Sequence, residues 1–511
     1  METERLVRTL VLQALPEGAD VREGFVSAGG NSLAALRLVT TLVKECHIRV
    51  PITNVLRSTS VTALIGELIG ALQIEADQGS EDTAPGALSI AERQMLLEQT
   101  LGLTSAHLVA VEMEFSGKLN VLALESAMRD VVARHDALRT RFWFDGDEFR
   151  REVVADALPE INHHVAASED NLPGLRAREL SARTDPDGPR VPRFALVRLA
   201  DDRHVLITVV HHLTCDGWSL NLLFDELAEL YSARIDHRRL APPPSAVAPK
   251  ATYSATGLDF WTARLADVPD PVTIPPDRPR PNVQSFDARR VTMDLSGALL
   301  DKLRAAAQAE GATEFAGRLA ILMLLLSSRA GAQDICVAVP VSGRTSAAHA
   351  STLGMFVNTV VIRQRIAGSM PFTTFVRSVH QRLMEAQDHQ DVPFPDVVNA
   401  LVPRRTLDRQ PLAQVMMAMQ PSGRRRYTLS DGVIARATIN LDIAEHSRFD
   451  VVLHFDGSEG MQQGWIDYDS ALYRRETISR LGADYSAMVS AVAAAPSTAV
   501  HDLVSAIRTS P

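Results

Sequence analysis

Two histidines close an apolar run in the middle of the chain. Residues 204–210 are almost all apolar or β-branched, and His211 and His212 follow them. Such a run is expected to be a buried strand. Leu213, Thr214 and Cys215 come next, then Asp216, Gly217, Trp218 and Ser219. Beyond them Leu220, Leu223, Phe224, Leu227, Leu230 and Tyr231 share one face of an amphipathic helical pattern. A neutral imidazole at the mouth of a strand can take or share a proton near pH 7. A carboxylate four residues after His212 can hold the loop by pairing with a base. A glycine there lets backbone approach closely and frees an N–H to face a developing oxyanion. His212 and His211 are therefore the candidate acid–base groups, Asp216 the anchor and Gly217 the donor. Paired histidines after a strand also occur as satisfied packing groups, so the longer string has to decide.

A second candidate lies near the start. Gly29, Gly30 and Asn31 lead into Ser32 and Leu33. Ser32 stands just before a helical pattern through Leu33, Leu36, Val39, Leu42 and Val43. Serine is a common helix cap. No histidine or acid stands near it in sequence to activate the hydroxyl, which argues against a hydrolase nucleophile.

The string His211-His212-Leu213-Thr214-Cys215-Asp216-Gly217-Trp218-Ser219 resembles the signature of condensation domains of nonribosomal peptide synthetases, which are chloramphenicol-acetyltransferase-like acyltransferases. The string from Gly29 to Leu33 resembles the attachment motif of peptidyl carrier proteins. Other segments resemble condensation motifs in the same order along the chain. These are Arg134 to Phe142, Gly354 to Thr359, and residues 391–396 and 408–416. Residues 89–97 occupy the place of the first motif, with Glu92 where the family has glutamine.

The resemblance implies a small all-α helical bundle, the carrier, followed by an α/β two-lobed condensation domain. The carrier is expected over 1–75, a linker over 76–87 and the condensation domain over 88–505. Its N-terminal lobe would cover about 88–270 and its C-terminal lobe about 285–505. The implied reaction is amide formation between a thioester on 4′-phosphopantetheine, attached to Ser32, and an amine. His212 is the implied base, and Arg134 or Arg139 the partner that locks Asp216. Asn358 is either a structural amide or part of the tunnel lining. The implied partners are a phosphopantetheinyl transferase, an adenylation enzyme or upstream module that loads Ser32, and an acceptor carrier or soluble amine. The chain ends at Pro511, soon after the condensation pattern. That favours a donor role for the attached carrier, with the acceptor arriving separately. An epimerisation domain, or ester formation with a soluble nucleophile, is the alternative.

Composition agrees with this setting. The 511 residues are 46% hydrophobic and 22% charged, with a net charge of −10. That balance suits globular domains and excludes nucleic acid or anionic membrane as the main partner. Cys46, Cys215 and Cys336 show no metal-ligand spacing, so no metal is expected, and they fit a reducing cytoplasm. The start of the chain lacks a signal peptide pattern. Residues 75–86 are acidic and poor in apolar side chains, which predicts a linker. Helices are expected at 4–15, 61–72, 122–135, 252–265, 314–329 and 478–493, strands at 109–115, 451–455 and 464–468, and a strand running into a turn over 335–344. The proline-rich stretch 269–281 is expected to cross between the lobes.

Overall fold

Four short helices open the chain: α1 (Glu2–Gln13), α2 (Ser32–Cys46), α3 (Ile52–Leu56) and α4 (Val61–Ala71). Val7 and Val11 of α1 meet Leu38 and Leu42 of α2 and Leu64 and Leu68 of α4 in one core. Phe25 and Val26, in the loop before α2, fill its end. The computed structural model describes residues 2–508 except 17, 31, 47, 49, 51, 72–87, 90–91, 94, 97–107, 146–148, 167, 183–187, 241–254, 269–271, 345–346, 403–405, 407, 421–423, 439–446 and 457–462. The expected linker at 76–87 lies outside the described residues.

The rest of the chain is mixed α/β and builds two six-stranded sheets. The first contains β1 (Leu108–Ser116), β4 (Glu160–Val165), β5 (Arg193–Ala200) and β6 (Arg203–His211). A hairpin, β2 (Thr140–Phe144) and β3 (Phe149–Val153), stands apart from it. Helices α5 (Val121–Arg134) and α7 (Gly217–Ile235) cover one face, and α6 (Leu172–Ser181) lies on the other. β6 sits between β1 and β5. Leu206 and Val210 join the core under α5 and α7, while Val205, Ile207 and Val209 join the core under α6. Burial on both faces explains why this strand is a continuous apolar run rather than an alternating one.

The second sheet runs β7-β14-β13-β10-β8-β9. Its strands are β7 (Ala288–Asp294), β8 (Asp334–Val341), β9 (Asn358–Arg365), β10 (Val415–Gln420), β13 (Val451–Asp456) and β14 (Gln463–Asp469). Around it lie α8 (Ala255–Arg264), α9 (Gly297–Gln308), α10 (Glu314–Ala330), α11 (Ala347–Ala350), α12 (Phe372–Asp388), α13 (Phe394–Leu401), α14 (Arg475–Ala494) and α15 (Val500–Arg508). α10 is the central helix of this lobe, with every residue from Ala316 to Ser328 buried. Thr313 caps its start by accepting from the Ala316 N–H, and Gly331 ends it in the left-handed conformation.

The two sheets share chain. β11 (Arg424–Thr428) and β12 (Ile434–Thr438) follow β10 in sequence yet extend the first sheet, with β12 antiparallel to β1. The expectation of a purely sequential division does not foresee this exchange. No helix among the described residues is long and apolar enough to cross a membrane.

From residue 272 onward the proline-rich stretch lies along the second lobe. Asp277 and Arg278 donate backbone N–H groups to the Leu472 carbonyl. Arg280 pairs with Asp450, a fully buried carboxylate, at 2.9 Å, and also reaches the Asp408 carbonyl at 3.1 Å. Removing the guanidinium would strand a buried charge. Arg280→Ala is expected to lower stability by ~3–5 kcal/mol. A leftward shift of the urea midpoint with an unchanged slope would be the sign.

Candidate active site

The site starts from the way β6 ends. His211 is the last residue of the strand, and a four-residue turn carries the chain to Asp216, the N-cap of α7. Asp216 accepts from the Ser219 N–H at 2.7 Å. Strand, turn and cap together place His212, Asp216 and Gly217 on one short loop.

The neighbouring histidines are held in different ways. His211 is buried and its Nδ1 accepts from the Leu213 N–H at 3.0 Å, so its proton resides on Nε2. His212 is half-buried and its Nδ1 lies 3.2 Å from the Cys215 carbonyl oxygen. A carbonyl only accepts, so His212 Nδ1 carries the proton and Nε2 keeps its lone pair. Burial, and then the charge of Arg448, push the His212 imidazole below its ordinary value of 6.5. The Cys215 carbonyl and Asp216 oppose that shift. Cys215 itself is a buried thiol whose pKa burial raises well above the ordinary range, so it is no nucleophile at neutral pH.

Asp216 is 1% exposed and its oxygens are occupied. Arg344 Nη2 donates to Oδ1 at 3.0 Å and to Oδ2 at 3.1 Å, and the Phe356 N–H donates to Oδ2 at 3.1 Å. Arg344 comes from the turn after β8 in the other lobe. Its Nη2 also donates to Ser219 Oγ at 2.8 Å, and Nη1 reaches the Thr352 and His349 carbonyls. The guanidinium lies 4.2 Å from the centre of the Phe356 ring. Ser219 Oγ donates to the Gly354 carbonyl and accepts from the Gly354 N–H. Trp218 Nε1 donates to the Ala350 carbonyl at 2.9 Å. The segment 344–356 thus grips the loop at three of its four residues from 216 to 219. Gly343 makes its turn possible: its φ is +63°, and a Cβ there would lie 1.9 Å from the Phe356 carbonyl oxygen.

The sequence points to an arginine of the 134–142 segment as the partner of Asp216, and the structure corrects this. Arg134 binds Glu226 of α7, which His135 also contacts. Arg139 binds Asp136 at 2.6 Å and the Ala155 carbonyl at 3.0 Å. Carboxylates close at hand neutralise both arginines, and Arg344 takes the expected role. Arg134 still fastens α5 to the helix that begins at the site. The Asn358 amide is hydrogen-bonded at both ends: Nδ2 donates to the Gln390 and Val392 carbonyls, and Oδ1 accepts from the Thr359 and Phe394 N–H groups. Glu92 forms a reciprocal cap with Ser89 and pairs with Arg151 at 3.0 Å. Burial raises its pKa despite Arg151. Leu88, Met95 and Leu96 from the same segment pack on Leu213, beside His212.

Ser32 is the first residue of α2. The turn before it needs its glycines: Gly29 has φ +102°, and a Cβ on Gly30 would lie 2.3 Å from the Phe25 ring. The N-terminus of a helix suits a phosphodiester on this serine, because the helix dipole there favours anions. The residues present therefore fit 4′-phosphopantetheine.

Arg344→Ala and Asp216→Ala should each cost ~3–5 kcal/mol by leaving the other charge buried. The double replacement should fall well short of the sum of the two losses. Additive losses in chemical denaturation would show that the two side chains do not act as a pair.

A family model described as condensation domain matches residues 85–509, and one described as phosphopantetheine attachment site matches residues 5–68. Tyrocidine synthase 2 of Brevibacillus parabrevis is 30% identical over 500 residues, which is 95% of this chain and 14% of that protein. Phosphinothricin tripeptide synthetase PhsB of Streptomyces viridochromogenes is 30% identical over 485 residues, 89% of this chain and 40% of that protein. The chain thus spans a minor part of these relatives. Among solved structures, the condensation domain of the Monacolin K polyketide synthase MokA matches with a TM-score of 0.73 at 18% identity, over 81% of this chain and 98% of that one. The two-lobed fold, the loop from His211 to Ser219 and these matches agree: the chain belongs to the condensation-domain family of nonribosomal peptide synthetases, preceded by a phosphopantetheine-bearing carrier domain, and that family forms amide bonds between a carrier-bound thioester and an amine.

Proposed function

We propose that this chain joins an acyl or aminoacyl group held on the arm of Ser32 to an incoming amine, with His212 as the base. The observation that carries this reading is the fixed tautomer of His212, whose Nε2 is left as a proton acceptor by the Nδ1–H bond to Cys215. When bound, 4′-phosphopantetheine supplies a thiol that holds the acyl group as a thioester on a flexible tether. An amine placed beside that thioester would displace the sulfur, giving an amide and a free thiol. His212 Nε2 would accept the proton that the nitrogen gives up and would be the group able to hand it to the leaving thiolate. An α-ammonium has a pKa near ~8, so modest help suffices to deprotonate it, and positioning contributes much of the rate. Gly217 is the first residue of α7, where a helix leaves its N–H groups without carbonyls one turn back. Its N–H is the proposed donor to the oxyanion. Asp216 holds the loop and takes no proton, since its oxygens already serve Ser219, Arg344 and Phe356. Loading requires a phosphopantetheinyl transferase and an adenylating partner.

The test loads Ser32's arm with an acyl or aminoacyl group, then offers free amines and, separately, amines on a second carrier. Amide formation that disappears in Ser32→Ala supports the reading and identifies the source of the acceptor. A mixture of α-carbon configurations without amide would make the protein an epimerase instead. His212→Ala is expected to lose ~10²–10⁴-fold in rate while folding normally. His211→Ala should act mainly through stability. The reverse pattern would exchange the two roles.

The acid limb of the rate gives a further check. Only neutral His212 can accept the proton, and its pKa lies below 6.5. Activity should therefore persist down to a midpoint below that value when the acceptor amine itself has a low pKa. Arg448→Gln removes a cationic neighbour and should move the midpoint upward. A midpoint that stays put would separate Arg448 from the chemistry.

A further inference from the structure

Among the described residues, polar contacts join the carrier to the second lobe. Arg57, one residue past α3, forms an ion pair at 2.8 Å with Asp388, the last residue of α12. Ser27 Oγ, in the loop that leads to Ser32, donates to the Gln308 carbonyl at the end of α9, at 3.4 Å. α3 packs beside α12, and α2 packs beside α11.

The charges on α12 single out one pair. Its acidic residues are Glu385 and Asp388. Glu385 is engaged by Arg264 and Arg382 within the lobe, and Arg377 pairs with Glu310. Asp388 is the carboxylate left to meet Arg57. His380, two turns earlier on α12, is buried, and its Nδ1 has no partner among the described residues. Burial, and then the charge of Arg57, push its pKa down to about 4. The ring is therefore uncharged at neutral pH and does not compete for either partner.

The place where α2 rests also matters. α11 belongs to the segment that contributes Arg344 to Asp216 and the Ala350 carbonyl to Trp218. The carrier's second helix, which begins with Ser32, therefore touches the same segment that holds the His212 loop.

We propose that Arg57 and Asp388 are positioning residues for acyl transfer, their ion pair seating the carrier so that α2 rests on the 344–354 segment. This rests on the reading of Ser32 as the donor site. Both side chains are partly exposed, 49% and 33%, so the pair acts on occupancy of the dock rather than on folding.

Two readouts test it. The first is amide formation from an acyl group on Ser32, compared with the same group offered as a soluble pantetheine thioester. R57E and D388R should each slow transfer from Ser32 roughly fivefold, leave the soluble reaction unchanged, and leave modification of Ser32 by the transferase unchanged. The double variant R57E/D388R should recover most of the rate. The second readout is cross-linking by a short bismaleimide between cysteines introduced as S27C and Q308C. Its yield should fall in each single charge variant and recover in the double. Charge-dependent cross-linking without any transfer from Ser32 would refute the donor reading and leave the dock intact. Transfer and cross-linking that both ignore the charges would overturn the positioning role.

Discussion

A carboxylate sealed between two lobes is the constraint that organises this molecule. Asp216 and Arg344 are both essentially removed from water, at 1% side-chain exposure each. Separating two charges from solvent carries a large penalty, offset only by good geometry and a full set of hydrogen bonds. Here the carboxylate receives two backbone N–H groups and the guanidinium, and the guanidinium in turn serves two carbonyls and a serine hydroxyl. Every one of those groups has to be in place together. The demand for satisfaction therefore sets the path of the 344–356 segment, the start of α7 and the height of the His212 loop at once.

The same loop gives two adjacent imidazoles opposite tautomers. A backbone N–H facing His211 Nδ1 puts its proton on Nε2, and a backbone carbonyl facing His212 Nδ1 does the reverse. One peptide turn thus makes the first histidine a fixture and the second a poised acceptor. Burial and the Arg448 charge reinforce this by keeping His212 neutral. Cys215 contributes its carbonyl to the tautomer, while its own sulfur is silenced by burial.

Much of this arrangement is legible in the sequence alone. β6 and α7 announce themselves because one is buried on both faces and the other on a stripe. Ser32 stands out because a double glycine precedes a helix start. Arg344 is not legible. It lies 128 residues from Asp216 in the chain, and nothing local marks it except a glycine that turns the strand. Arg134 and Arg139 are the more visible choices, being part of a recognisable string. Yet Asp136 and Glu226 lie within reach of them and hold them away from Asp216. Asn358 is ambiguous for a different reason. An amide that serves four backbone groups and an amide that lines a cavity have the same sequence signature.

The strand exchange between the sheets has a consequence for how the molecule comes into being. β12 is the outer neighbour of β1, although most of the second lobe separates them in the chain. Until the ribosome has released that hairpin, β1 presents an unpaired edge, the kind of surface on which nascent chains aggregate. The first sheet therefore stays incomplete until that part of the chain has been made, and completing it requires a long-range closure. The hairpin then works as a latch. A cut between the lobes would leave the first with a sheet it cannot complete alone.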